Sequence, residues 1–148
     1  MEYEQVYFRM ISSPSHQQSN EVRRILIMES YSPTCHALAM TLRREGWEVD
    51  LTETDHEALK ALEQEVYHVI LLDVDVPTGD GWRVLSALQA ANNTIPVVVL
   101  IGTEGSSGRQ ARVLGACIVL SKPVGRNTLL SSVRQALVSP SNTEPLTG

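Results

Sequence analysis

Short apolar runs rich in β-forming residues recur five times along the chain, at 24–28, 48–52, 69–74, 97–101 and 118–120. The stretches between and after them place their apolar residues at helical spacing. Strands that alternate with helices cannot pair as hairpins, so they must run parallel, with each helix crossing over a face of the sheet. The pattern therefore predicts an α/β fold: one five-stranded parallel sheet covered by five helices on both faces. The third and fourth runs are the most apolar and suit central positions, where a strand is buried on both sides.

The helical stretches carry their own punctuation. Ser32 is the expected N-cap of the first helix, with Pro33 at its first position, Cys35, Leu38, Ala39 and Leu42 as its stripe, and Gly46 as its stop. A shorter helix over 54–64 turns Ala58, Leu59 and Leu62 inward, and a third follows Gly81 with Val84, Leu85 and Leu88 on one face. The fourth, over 107–114, has a weak pattern. The last, over 126–137, aligns Leu129, Leu130, Val133, Ala136 and Leu137. Outside these, residues 1–20 are expected as a flexible N-terminal arm, whose segment 6–11 could instead supply an edge strand or a homodimer contact, and 140–148 as a C-terminal tail. The folded domain is expected over 21–139.

No apolar run approaches membrane-spanning length, and no basic segment followed by an apolar stretch opens the chain. A cytoplasmic protein without a membrane partner is expected. Cys35 and Cys117 make neither a disulfide framework nor a metal pair, and fit as small core residues. His36, His56 and His68 are scattered and form no ligand set. The net charge of −5 argues against direct nucleic-acid binding, and its distribution is uneven. Between Glu48 and Asp80 there are ten acids and one base, Lys60; between Gly105 and Asn142 there are five bases and no acid. Ordinary solvated helix faces account for this, and so does an acidic pole around a site opposite a basic surface for an acidic partner.

Sites in parallel sheets form at the carboxyl ends of the strands. At those ends stand Glu29 and Ser30, Asp73, Gly102 and Thr103, then Lys122 and Pro123. Two carboxylates and a lysine from three strands thus meet at one edge. Clustered carboxylates repel, and a hard divalent cation such as Mg²⁺ relieves the repulsion. An aspartate beside such a cation and a lysine is placed to accept a phosphoryl group. The same spacing also fits a plain strand-end aspartate paired with a lysine. The loop "IGTEGSSG" has repeated glycines but lacks the Lys-Ser/Thr and the context of a phosphate-binding loop. "SYSPT" is similar to a flavodoxin phosphate loop, but without flanking aromatics a flavin-binding redox domain is a remote alternative.

The segments "RRILIMES", "HVILLDVDVPTGDGWRVL", "IPVVVLIG" and "GACIVLSKPV" together resemble the receiver domains of two-component response regulators, over residues 23–138. The resemblance implies a flavodoxin-like, doubly wound sheet and a cis peptide bond between Lys122 and Pro123. It implies Asp73 as phosphoacceptor and Mg²⁺ ligand, Lys122 as the phosphate-binding lysine, Glu29 as the first of an acidic pair, and the backbone carbonyl of Asp75 as a further ligand. Three positions depart from the family pattern. Ser30 stands for the second acid, Ile101 for the hydroxyl residue ending the fourth strand, and Val119 for the switching aromatic of the fifth. A lost charge-assisted hydrogen bond at Ile101, about 1.5–3 kcal/mol, weakens the bias from phosphorylation roughly ten- to a hundredfold. The side chain of Asp75 is expected either to offset the charge lost at Ser30, directly or through water, or simply to point to solvent.

The resulting expectation is an atypical receiver domain in phosphorelay signalling, a phosphoprotein rather than an enzyme, with weakened switching. A histidine kinase or phosphotransfer protein would supply the phosphoryl group. With no output domain expected on the chain, a downstream protein would be engaged through a face carrying Arg109, Arg112, Arg126 and Arg134. The alternative is a pseudo-receiver, a protein-binding scaffold that works without phosphorylation.

Overall fold

A computed structural model describes residues 22–29, 33–75, 78–102 and 106–138. The expected N-terminal arm, the C-terminal tail, the Ser32 cap, Ser30, Pro77 and Thr103 lie outside the described residues. Five strands alternate with five helices: β1 (Arg24–Met28), α1 (Pro33–Arg44), β2 (Glu48–Thr52), α2 (Asp55–Gln64), β3 (Val69–Asp73), α3 (Asp80–Ala90), β4 (Val97–Ile101), α4 (Ser106–Val113), β5 (Ile118–Ser121) and α5 (Arg126–Val138). The strands form one parallel sheet in the order β2-β1-β3-β4-β5. The third and fourth strands are inner strands, as expected, and each is buried along its whole length.

Alternation along the strands sends side chains to two separate cores. Leu26, Met28, Ile70, Leu72, Val97 and Val99 pack with α2, α3 and Ala111 of α4 on one face. Ile25, Ile27, Val69, Leu71, Val98 and Leu100 pack with α1 and α5 on the other. Cys35 joins this second core as a buried side chain, and Cys117 packs against it half-buried. Fully buried leucines such as Leu26 and Leu71 each cost about 2–5 kcal/mol to truncate to alanine. Thr54 caps α2, its hydroxyl accepting the Glu57 N–H at 3.1 Å. Gly46 ends α1 at φ +97°, the left-handed conformation a glycine adopts without strain. Among the described residues no helix is long and apolar enough to cross a membrane.

The chain leaves β1 to one side of the sheet and builds β3, β4 and β5 on the other. The crevice at this switch opens between the carboxyl ends of β1 and β3. Glu29 follows β1, and Asp73 ends β3.

Candidate functional site

Asp73 is 2 % exposed, and both its oxygens have partners. Oδ1 accepts the Asp75 N–H at 2.9 Å, and Oδ2 accepts from Lys122 Nζ at 2.8 Å. Lys122 starts beyond the edge strand β5, its N–H bound to the Ile101 carbonyl at 2.8 Å. To reach Asp73 its side chain must pass over the end of β4, where Gly102 stands. A Cβ on Gly102 would lie 3.7 Å from Lys122 Cε and 2.7 Å from Asp75 Oδ2, so a side chain there would crowd the crossing. The peptide bond from Lys122 to Pro123 is cis, in agreement with the expectation.

Glu29 extends β1 by donating its N–H to the Thr52 carbonyl at 3.2 Å, which fixes its buried side chain beside Asp73. Burial pushes the Glu29 carboxyl above the ordinary range, and the negative charge of Asp73 adds to this. Lys122 and a hydrogen bond with Cys35 pull the other way without cancelling it. Burial, together with the Glu29 charge, holds the Cys35 thiol up at about 11, so it stays protonated and donates to the carboxylate. Oε1 of Glu29 is buried with no hydrogen-bond partner among the described residues. An orphaned carboxylate oxygen facing a second carboxylate fits a hard, oxygen-liganded cation.

The structure brings Glu29, Asp73 and Lys122 together. The Asp75 carboxylate borders this group beside the Lys122 stem and takes a backbone amide as its partner. Asp75 Oδ2 accepts the N–H of Gly102 just past β4, and among the described residues no three His, Cys, Asp or Glu side chains gather around a common point. The physical reason is local: an amide donor at the end of β4 is a better neighbour for a carboxylate than two like charges. The departures at the fourth and fifth strands are visible as packing. Ile101 is 3 % exposed within the α2–α3–α4 core, and Val119 packs against the same cluster.

A second group of residues holds the turn after β3, and sequence reasoning missed it. Asp80, buried at the start of α3, accepts the Asp55 N–H at 3.0 Å and pairs with Arg83. Arg83 also donates to Asp55 Oδ2 at 2.9 Å and to the Thr78 carbonyl at 3.0 Å. The turn is thereby pinned to the start of α2. Gly81 makes this closeness possible: a Cβ there would fall 2.8 Å from Val74 Cα and closer still to the Asp73 carbonyl. The only sequence signal was the Asp-Gly pair itself.

Arg109, Arg112, Arg126 and Arg134 are all exposed, on α4 and α5, which flank the half-buried edge strand β5. Arg126 reaches Glu45, just past α1, at 3.3 Å; the other three make no ion pair among the described residues.

Residues 25–134 match the family model described as the response regulator receiver domain. Over 117 residues the chain is 33 % identical to the transcriptional regulatory protein PcoR of Escherichia coli, covering 78 % of this chain and 52 % of that one. It is 36 % identical over 115 residues to the transcriptional activator protein IrlR of Burkholderia pseudomallei, covering 77 % and 50 %. The chain thus spans about half the length of these relatives. Among solved structures, a two-component response regulator from Clostridium difficile superposes with a TM-score of 0.71 at 25 % identity, over 78 % of this chain and 95 % of that one. The receiver domain of the sensor histidine kinase PA1611 from Pseudomonas aeruginosa, which has a magnesium ion coordinated in its active site cleft, shares the fold with a TM-score of 0.72 at 24 % identity, over 80 % and 100 %.

Proposed function

The chain belongs to the response regulator receiver domain family of two-component signalling, and from that premise we propose that it accepts a phosphoryl group on Asp73, switches weakly, and passes its output to a protein partner. The observation that carries this reading is the Lys122 ammonium set 2.8 Å from Asp73 Oδ2. In the step itself an Asp73 oxygen forms a bond to phosphorus as the donor's own bond to phosphorus breaks, leaving an aspartyl phosphate and the free donor. Lys122 exchanges part of its contact with the carboxylate for a phosphoryl oxygen, and the buried setting strengthens that attraction. Glu29, Asp73 and the Asp75 carbonyl are the residues to hold Mg²⁺, with Ser30 in place of an ionic ligand. The ion would neutralise charge on the transferring group.

Weak switching rests on Ile101 and Val119. Ile101 offers no donor to follow a phosphoryl group, and Val119 has no ring to turn. Output is assigned to the surface of α4, β5 and α5, where Arg109, Arg112 and Arg134 carry charge that no ion pair among the described residues engages, and Arg126 adds a partly engaged one. A histidine kinase or phosphotransfer protein is the proposed donor, in the cytoplasm. The same two apolar substitutions favour a second reading, a scaffold that binds its partner without phosphorylation.

Intact-mass spectrometry after acetyl phosphate and Mg²⁺ separates the two. The expected result is a single phosphoryl adduct on the wild-type chain and none on Asp73→Asn. A folded wild-type chain that gains no adduct would reject the acceptor reading in favour of the scaffold.

A further inference from the structure

Asp75 is the exposed residue of the site whose side chain the acceptor chemistry leaves without a task. Its backbone N–H donates to Asp73 Oδ1 at 2.9 Å, while its carboxylate takes the N–H of Gly102. The last ladder bond between β3 and β4 is the Val74 N–H to the Leu100 carbonyl at 3.2 Å. Asp75 therefore ties the two strand ends together beyond the point where the sheet stops doing so. The tie lies inside the working space of the site. A Cβ at Gly102 would touch both Asp75 Oδ2, at 2.7 Å, and the stem of Lys122, at 3.7 Å. Carboxylate, amide and lysine thus border one small volume next to Asp73.

A backbone amide at that position is an oxyanion donor, and here the chain supplies the anion. We propose that the Asp75 carboxylate is an internal stand-in for an external oxyanion: it occupies the Gly102 amide, latches the ends of β3 and β4, and must be displaced before a phosphoryl group at Asp73 can use that amide. A carboxylate at the end of the neighbouring strand competes at high effective concentration, because the pairing of β3 with β4 already sets it beside the amide. An aspartyl phosphate carries about −1.5 to −2 of charge where the Asp73 carboxylate carried one, so beside a resident carboxylate the two anions cannot share the donor. The latch is a property of the unmodified chain; only the displacement rests on Asp73 as acceptor.

The test uses the full chain with Asp75→Ala, which removes the latch, and Asp75→Asn, which keeps an oxygen for the amide but removes the charge. Two measurements are made: hydrogen exchange of the Gly102 amide in the untreated proteins, and the affinity of each for beryllofluoride with Mg²⁺. The latch requires faster Gly102 exchange in Asp75→Ala than in wild type or Asp75→Asn. Displacement requires beryllofluoride to bind Asp75→Ala roughly ten- to a hundredfold more tightly than wild type, the worth of one charge-assisted bond, with Asp75→Asn between them. Equal tightening in both variants would show that only charge matters and would overturn the competition. Unchanged Gly102 exchange in Asp75→Ala would overturn the latch. If none of the three proteins binds beryllofluoride, the acceptor reading of Asp73 falls, and the exchange result alone still decides the latch.

Discussion

Asp80 is held by the start of α2, distant in sequence, and by its own neighbours Thr78 and Arg83, and its ionisation depends on them. Burial works to raise its pKa, but the Asp55 N–H, the Thr78 hydroxyl and the Arg83 guanidinium outweigh burial and hold the carboxyl below its ordinary value. A carboxylate lowered in the folded state adds stability that is present above its unfolded value, about 4, and is lost as pH falls through the folded one. Asp80→Asn should lower stability at pH 7 by on the order of 1 kcal/mol, the difference between a charged and a neutral hydrogen-bonded group. Urea midpoints of the two proteins should converge as the pH is lowered through the folded value of Asp80, where the wild-type carboxylate itself takes up a proton. A gap unchanged between neutral and acid pH would mean that the charge contributes nothing. Residue type and strand-end position were enough to pick out Asp73 and Lys122 from the sequence. The Asp80–Arg83–Asp55 contact was not readable, because it joins the first turns of two helices, α2 and α3, that only the folded sheet brings together. The direction of the Asp75 side chain was hidden for a related reason: its partner is a backbone N–H, which no residue letter announces.

Among the elements, α4 gave the faintest sequence signal and is the shortest helix, eight residues with Gly108 inside it. Its place is set by packing: Ala111 is buried in the core, and Gly108 lies over Ile101 and Val119. A Cβ on Gly108 would meet Ile101 Cδ1 at 3.6 Å and Val119 Cγ1 at 3.7 Å, both ordinary contacts. Gly108→Ala is therefore expected to stabilise the protein by about 1 kcal/mol, from helix propensity and the smaller entropy of the unfolded chain. A urea midpoint that fails to rise would show that α4 is not helical through Gly108 in solution. The strongly periodic helices were legible to within a residue or two, α1 through its stripe and Gly46, α5 through its run of leucines. The cap of α2 was not singled out, since Thr54 sits among several polar residues that could serve equally.

Across the molecule, one sheet divides two cores that share no side chains but do share every inner strand. The two tryptophans report on them separately: Trp82 packs against the α2–α3–α4 core and Trp47 against the α1–α5 core. Because the backbone of β1, β3 and β4 belongs to both, the cores should unfold together. Urea curves from Trp47→Phe and Trp82→Phe, each scaled to its own stability, should fit one two-state transition with equal slopes. Distinct slopes or a shoulder in either curve would show that the faces come apart independently. The alternation of runs was sufficient for a parallel α/β sheet with its third and fourth strands inside. The full strand order needed more than alternation, because β1 and β2 carry no mark saying which of them lies outermost. One contact at the centre of this arrangement has a mechanical meaning. At Gly81 the first turn of α3 rests on the peptide of Asp73 with no room for a single carbon between them. Helix and peptide are in backbone contact, so a shift of α3 toward the sheet presses on Asp73 directly, with no side chain to cushion it.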